Sequence, residues 1–229
     1  MNFSAVNTKI KAMRASLLTA RDYERLCAET GEGYTLIKPE HDFAKIAAYV
    51  SKPVRDFLRN AYIPSLYGET CNTSKMFAGI SSKHGKDSLK RVIGTETDLR
   101  NILWIYRLKK YHKINGDAVF SFLNPSSHRL CAAEVSQLAR ARDMESFAQA
   151  VSGGFYGGVF GNLSDFTRGE QKLTGAVRSQ FQKEYRHENL AVVCGHLYAR
   201  HLETKNIRAI AQGKKNELSS QEIFSLLHI

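Results

Sequence analysis

Long hydrophobic runs are missing from this chain of 229 residues. A transmembrane helix needs about 20 consecutive apolar residues, and no segment of the sequence approaches that length. The N-terminal segment MNFSAVNTKIKAMRASLL also lacks the apolar stretch of a secretory signal. The sequence therefore predicts neither a membrane span nor a secretory leader.

Proline, cysteine and β-type patterns are scarce as well. The chain has 4 prolines and 4 cysteines, and few alternating runs of Val, Ile and Thr, which argues against a β protein. The cysteines form no CxxC pair and no disulfide framework, which fits a reducing, cytosolic setting; they are Cys27, Cys71, Cys131 and Cys194.

Two partial motifs fall short of a catalytic signature. Gly153–Gly161 is glycine-rich, but Gly-Lys-Ser/Thr does not follow it, so a hinge between helices is expected instead of a phosphate-binding loop. His187-Glu188 begins like the zinc motif HExxH, but Ala191 occupies the place of the second histidine.

A third group of reactive side chains also has an ordinary interpretation. Cys194, His196 and His201 are close in sequence, and we expect a buried cysteine with surface histidines. No GxSxG motif and no paired carboxylates in an apolar pocket are evident. We therefore predict no enzymatic activity, no cofactor and no metal.

Helical periodicity is what the sequence does contain, most clearly in Glu96–Tyr111. Its apolar residues form two stripes at helical spacing, so this helix should be packed from at least two directions. The stripes are Leu99, Ile102, Leu103 and Tyr106, and Trp104, Ile105, Leu108 and Tyr111. Asn101 lies within the second stripe, and Asp98, one turn earlier, is the expected partner of its amide.

The remaining segments predict further helices in one structural unit. Residues 1–62 read as an N-terminal helical segment, 63–94 as a loop or linker, and 95–229 as the main helical region. In the first segment, Tyr23 and Leu26 should face the preceding helix. Further helices are expected over 117–123, 131–150 and 176–212, and from Ser219 onward.

A repeat links the two ends of the main region. Asp98-x-x-Asn101-Ile102 recurs as Glu203-x-x-Asn206-Ile207. Downstream of the first copy, Leu130-x4-Val135-x2-Leu138 recurs after the second as Leu218-x4-Ile223-x2-Leu226, and a fainter N-terminal copy reads Leu18-x4-Tyr23-x2-Leu26. Such helix pairs cannot bury an apolar face alone, so the copies should pack on each other. The acid and amide of each copy are expected to form hydrogen bonds that hold neighbouring helices.

These repeat residues also carry a family resemblance. The segment Asp98-x-x-Asn101-Ile102-x-x-Ile105-x-Arg107 resembles the D-x-x-N-I-x-x-I-x-R segment of a V-type ATPase component, the C subunit of bacteria and archaea, which is the d subunit of eukaryotes. The C-terminal stretch that starts at Glu203 is similar to that family's closing E-x-x-N-I-R-x-I-x-x-G-K segment. The N-terminal helix pair is similar too.

The resemblance implies an all-α fold of repeated helix pairs, compact or funnel-shaped, with three related domains about a pseudo-threefold axis. This chain is shorter than the family pattern and lacks the D-x-x-N segment expected before residue 96, so we expect a reduced version. The implied function is a non-catalytic adaptor at the cytoplasmic face of the membrane. It would join the central stalk to the rotor ring and transmit torque for H⁺ or Na⁺ transport.

The charge of the chain suggests where partners would bind. The formal net charge is +11, which favours acidic proteins, anionic lipid head groups or nucleic acid as partners. The candidate interface consists of basic residues on two helices: Arg107, Lys109, Lys110, Lys113, Arg208, Lys214 and Lys215. A basic helical scaffold or nucleic-acid adaptor unrelated to the ATPase is the alternative, although no helix offers a clean recognition surface for bases.

Overall fold

The structure is a computed structural model that describes residues 3–28, 36–68, 76–77, 80, 85–114, 116–125, 128–187 and 189–229. The chain separates into two compact units. The first comprises Met1–Leu89 and Phe181–Ile229, and the second comprises Lys90–Gln180. These divisions lie inside helices and do not coincide with the boundaries at 62/63 and 94/95 that the sequence suggested.

The described residues form α-helices and no strand, which confirms the all-α prediction. The helices are α1 (Phe3–Arg14), α2 (Ala20–Ala28), α3 (Pro39–Ile46), α4 (Lys52–Phe57), α5 (Ile63–Leu66), α6 (Lys86–His112), α7 (Ala132–Arg140), α8 (Met144–Ser152), α9 (Leu163–Thr167), α10 (Gly169–Glu184), α11 (Leu190–Lys215) and α12 (Ser220–Ser225). Short 3₁₀ turns cover Ala47–Tyr49 and Gly116–Phe122, and a π-helical turn covers Leu58–Tyr62. None of the helices in these ranges is long and apolar enough to cross a membrane.

Several predicted boundaries differ from the structure. The segment 63–94 is not one loop, because α5 lies at its start and α6 begins at Lys86. Two helices, α7 and α8, replace the single helix expected over 131–150, and Asp143 caps the second with its side chain. The long segment 176–212 contains parts of α10 and α11, separated at a new N-cap, Asn189.

In the first unit, α11 is the central helix, and α1, α3, α5 and α12 pack against it. Its N-terminal half is buried on almost every side, as its apolar sequence requires. Tyr23 and Leu26 do not face α1 as predicted. They belong to an apolar cluster with Ile210, Ile223 and Leu227, so α2 packs on α12 and on the end of α11.

A glycine permits the close approach of α12 to α11. A Cβ atom added to Gly213 would lie 2.6 Å from Cγ1 of Ile223, well inside van der Waals contact. Ser219 then starts α12 with a capping box, in which its hydroxyl and the carboxylate of Glu222 satisfy each other's backbone N–H groups.

In the second unit, α6 supplies the main apolar surface. The first predicted stripe is buried completely: Leu99, Ile102, Leu103 and Tyr106. The second is buried only in part. Ile105 and Leu108 are buried, whereas Trp104 is 46% exposed and Tyr111 is 64% exposed. The prediction that α6 is covered on both stripes is therefore wrong for its two aromatic residues.

Candidate functional site

Asp98 on α6 is completely buried and accepts hydrogen bonds from four donors. Its Oδ1 accepts from the backbone N–H of His128 at 3.0 Å, and its Oδ2 accepts from those of Arg129 at 2.6 Å and Leu130 at 3.0 Å. The hydroxyl of Tyr156 donates to Oδ2 at 2.7 Å. These donors replace the hydration that a buried carboxylate loses. Asp98 thereby fixes the segment that leads into α7.

Tyr156 comes from the glycine-rich segment that we expected to be a hinge. The segment forms a series of turns, and Tyr156 and Phe160 within it are buried. Burial, with the hydrogen bond to Asp98, raises the pKa of Tyr156 above the ordinary range of a phenol. The tyrosine therefore stays a neutral donor to Asp98, and the segment helps to close the core.

Asn101, one turn after Asp98, binds both backbone polar groups of a single residue, Asn124. Its Nδ2 donates to the carbonyl oxygen of Asn124 at 3.0 Å, and its Oδ1 accepts from the N–H of the same residue at 3.0 Å. Asn101 is 3% exposed. The partner of this amide is thus Asn124 and not Asp98, which corrects the expectation from the sequence.

Gly94 makes room for the segment that Asp98 holds. It lies one turn before Asp98, and an added Cβ would lie 2.5 Å from Cβ of His128. The sequence analysis missed this residue, although its place on the face of α6 that carries Asp98 and Asn101 was a usable signal. Ile102, the next residue of the repeat, is buried beside them.

The first unit contains a corresponding acid and amide on α11. The Oε2 of Glu203 accepts from the N–H of Leu18 at 2.7 Å, just before α2 begins. Asn206 exchanges two hydrogen bonds with the backbone of His228, at 3.3 Å as donor and 2.8 Å as acceptor. Glu203 and Asn206 are both buried, whereas Ile207 is half-buried.

The two copies agree in the amide and differ in the acid. Asn101 and Asn206 each bind the backbone N–H and C=O of one residue, which lies 23 residues further along the chain for Asn101 and 22 for Asn206. Asp98 binds the N–H of Leu130, but Glu203 binds that of Leu18 and not of Leu218, the leucine paired with it in the sequence repeat. In the first unit, the segment that Glu203 binds therefore belongs to the N-terminal copy of the repeat, which contains Leu18. The structural equivalence of the two copies is our proposal.

Glu203 also belongs to a buried ionic network that the sequence did not reveal. Arg200, 1% exposed, forms an ion pair with Glu203 and donates from Nε to Oδ2 of Asp42 at 2.8 Å. The Nε2 of His196 lies 2.8 Å from the same oxygen of Asp42. Arg200 Nη2 donates to the hydroxyl of Ser16 at 3.0 Å. The network joins α3, α11 and the turn after α1 in the core of the first unit.

The electrostatic balance of this network favours an ionised Asp42. Burial by itself raises the pKa of this carboxyl group, but hydrogen bonds from His196 and Arg200 and the charge of Arg200 outweigh it. They hold the pKa of Asp42 well below its usual range. The only sequence signal was the spacing of His196, Arg200 and Glu203 along one side of α11.

The expectation of surface histidines near Cys194 is wrong. His196 is completely buried, and His201 is 6% exposed, with its ring edge-on to Tyr67 at 5.0 Å between centroids. Cys194 is buried as predicted, and burial raises the pKa of its thiol. These residues form part of the core of the first unit.

The predicted interface residues on α6 divide into internal and accessible groups. Lys109 is 6% exposed, and its Nζ donates to the carbonyl oxygens of Ala139 and Ala141 at 3.0 and 2.8 Å. Burial lowers the pKa of Lys109. Its ammonium group satisfies carbonyls at the end of α7, so Lys109 is not available to a partner.

The other basic residues of the predicted interface are at least partly exposed. Arg107 pairs with Glu170 at 2.8 Å, and the Lys110 ammonium donates to the hydroxyl of Tyr106 at 2.7 Å. The remaining members reach solvent to different degrees: Lys113, Arg208 and Lys215 are exposed and Lys214 is half-buried. Trp104 and Tyr111 lie on the same face of α6 as Arg107, at helical spacing.

Among the residues that the structure describes, no three or more His, Cys, Asp or Glu side chains are placed to hold a metal ion. Glu188 of the partial HExxH motif lies outside the described residues. The buried acids instead bind backbone N–H groups, a tyrosine hydroxyl and an arginine. The described part of the chain is thus an all-helical protein whose buried polar groups hold its own helices, with basic and aromatic side chains on its surface.

Comparison with known proteins identifies its family. The family described as ATP synthase (C/AC39) subunit matches residues 42–226 of the chain. The chain therefore belongs to the family of the V-type ATPase C subunit, named d in eukaryotes, whose members are non-catalytic stalk subunits. The comparisons found no significant match to a curated protein or to a solved structure. The resemblance noted in the sequence is confirmed.

Proposed function

We propose that the protein links the central stalk of a V-type ATPase to its membrane rotor ring and transmits torque between ATP hydrolysis or synthesis and H⁺ or Na⁺ transport. It would act at the cytoplasmic face of the membrane as a peripheral subunit. The family match over residues 42–226 is the observation that carries this proposal. It also makes a scaffold or nucleic-acid adaptor unrelated to the ATPase the poorer interpretation.

The internal construction of the units supports a load-bearing role. A part that transmits torque must resist deformation, and buried networks with satisfied partners rigidify a core. Asp98 ties α6 to the segment before α7, and Arg200 ties α11 to α3 and to the turn after α1. Each connection joins elements far apart in sequence, so a force on one helix is shared by its neighbours.

The accessible basic residues are the proposed partner contacts. We assign this role to Lys110, Lys113, Arg208, Lys214 and Lys215, and to Arg107 with its neighbours Trp104 and Tyr111. Aromatic residues and arginine are enriched at protein interfaces, and the net charge of +11 favours acidic stalk surfaces. Lipid head groups beside the ring are further partners, and each nearby Lys or Arg gains on the order of 1 kcal/mol there.

Reconstitution of the ATPase with a charge-reversed variant of this protein tests the assignment. In the test variant, Lys110, Lys113, Lys214 and Lys215 are changed to Glu, and Lys109 is kept because of its internal role. In the matched control, Lys9, Lys52, Lys183 and Lys205 are changed to Glu, which alters the net charge equally. We expect the test variant to assemble more weakly and with greater salt sensitivity than the control.

Single charge changes at the rim should each cost only about 0–1 kcal/mol, which is why four residues are changed together. If the two variants assembled equally and coupled ATP hydrolysis to ion transport equally, these four lysines would not contribute to the interface. If the unmodified protein joined neither the stalk nor the ring, the adaptor function itself would be wrong.

A further inference from the structure

A small cavity in the first unit is lined largely by basic side chains. It has a volume of about 110 Å³ and lies between one face of α1 and the segment that joins α10 to α11. The lining residues are Asn7, Ile10, Lys11, Arg14, Tyr185, Arg186, His187 and Val192. None of these residues is acidic, so the cavity favours an anion.

The sequence of α1 explains one wall of the cavity. Asn7, Lys11 and Arg14 are spaced by four and three residues and share one side of the helix. Val6 and Met13, on another side, are buried in the core. The apolar contacts thus fix α1 in an orientation that points its polar side at the segment after α10.

Within the part of the chain that the structure describes, the cations of this cavity have no acidic partner. The guanidinium carbon of Arg14 lies 3.6 Å from the centre of the Tyr185 ring, a close cation–π contact. No ion pair joins Lys11, Arg14 or Arg186 to any residue that the structure describes. The carboxylate of Glu184, near in sequence, accepts from Asn189 at 3.2 Å and does not line the cavity.

Asn7 supplies the second, independent sign of a ligand. Its side chain is 6% exposed, and its Oδ1 is buried without a hydrogen-bond partner among the described residues. A buried polar atom of this kind calls for a donor. A phosphate group is both an anion and, when singly protonated, a hydroxyl donor, so it satisfies the basic side chains and Asn7 together. Sulfate carries no proton at neutral pH and leaves Asn7 Oδ1 unsatisfied.

The adjoining helix terminus and the size of the cavity agree with this chemistry. The N-terminal turn of α11, a helix of 26 residues, contributes Val192 to the lining. The N–H groups of Ala191 and Val192 are bonded to Asn189, so this terminus favours an anion through the helix dipole. Sites for drug-sized ligands are larger, roughly 300–1,000 Å³. The cavity therefore suits a single phosphate group, and the remainder of any larger ligand would lie outside it.

We propose that this basic cavity binds a phosphate monoester or inorganic phosphate. Asn7 accepts the phosphate hydroxyl, and Lys11, Arg14 and Arg186 bind the charged oxygens. The group can be free in solution or can belong to a lipid head group such as phosphatidic acid. The site is distinct from the lysines that we assign to the stalk and the ring, and it can be tested on the isolated protein.

Two measurements on the full chain test the proposal and separate the two sources. The first is calorimetric titration with inorganic phosphate, compared with sulfate at equal ionic strength. The second is sedimentation with phosphatidylcholine vesicles that contain phosphatidic acid, compared with vesicles of equal surface charge that contain phosphatidylserine. The test variant is Lys11→Gln with Arg186→Gln, and the matched control is Lys9→Gln with Lys183→Gln, which lie outside the cavity lining.

We expect phosphate to bind more tightly than sulfate, and the test variant to raise the dissociation constant for phosphate by about tenfold or more, since two charge-assisted contacts are lost. The control should leave it unchanged. A preference for phosphatidic acid vesicles that only the test variant loses identifies the head group as the source. Phosphate binding without that preference identifies the free anion. Equal affinity for sulfate and phosphate, or equal affinity of test and control variants, would overturn the proposal.

Discussion

Replacement of Asp98 by Asn tests the central polar contact of the second unit. The shape is kept, but one accepting oxygen becomes an NH₂ group that faces donors. Asp98 serves four donors, three of them backbone N–H groups. One remaining oxygen can serve about two of them, so roughly two donors lose their acceptor. A buried donor without a partner costs about 1–3 kcal/mol, and we expect a loss of about 3 kcal/mol in the free energy of unfolding.

The unfolding of this unit can be followed through the single tryptophan of the chain. Trp104 lies six residues after Asp98 on α6, within Lys90–Gln180, so its fluorescence reports on the unit that carries the substitution. Urea unfolding at pH 7 would give the difference between Asp98→Asn and the unmodified protein.

Tyr156→Phe is the matched control for that experiment. It removes one neutral donor to Asp98 and leaves the three backbone donors in place, so it should cost only about 1 kcal/mol. If Asp98→Asn destabilised the unit no more than Tyr156→Phe, the carboxylate would not be holding the segment before α7, and the reasoning would be refuted.

Two other substitutions probe the first unit. Gly213→Ala would force a Cβ to within 2.6 Å of Cγ1 of Ile223 and should cost about 1–3 kcal/mol. The control is Gly175→Ala, a helical site of the second unit at which an added Cβ meets nothing within 4 Å beyond its own helix backbone, and it should be neutral or stabilising. Thermal unfolding followed by circular dichroism compares the two, and equal shifts would contradict the packing argument. Asp42 has a lowered pKa in the folded state, so its contribution to stability is present above the ordinary carboxyl pKa of about 4 and is lost as the pH falls toward the folded value. Asp42→Asn should therefore flatten the acid side of a plot of unfolding free energy against pH, and an unchanged slope there would show that the carboxylate is not stabilised by its partners.

Helical spacing predicted the helices and much of the core, but it could not decide which stripes would be covered. Leu99 and Ile105 lie on different sides of α6 and both are buried, whereas Trp104 remains exposed. Periodicity describes one helix in isolation, and burial depends on which neighbours are present. Lys109 shows the same limit, because the carbonyls at the end of α7 that bind it are 30 residues away.

The acid and amide positions were predictable in a different way. Asn101 and Asn206 stood out because a polar residue recurred at the same place in two apolar helices, and an amide in such a place needs partners. Asp42 could not be found by this route. It is one of two acidic residues in α3, an ordinary amphipathic helix. Its partner Arg200 lies 158 residues away in the sequence. The ionic network therefore exists only in the folded chain.

The amides of Asn101 and Asn206 each bind the backbone N–H and C=O of one residue and not its side chain, and this has a consequence for how the sequence can change. Asn124 and His228, their partners, are chemically different residues, and both take part in these contacts through their backbone N–H and C=O. Almost any residue except proline, which lacks the N–H, offers the same groups. These contacts therefore constrain the side chain at the asparagine positions and not at the positions whose backbone they bind. They require asparagine at 101 and 206 but set no requirement on the side chain at 124 or 228. In a saturation library, replacements at 101 and 206 should therefore remove the paired hydrogen bonds, whereas replacements other than proline at 124 and 228 should keep them, and covariation between the paired positions should be weak.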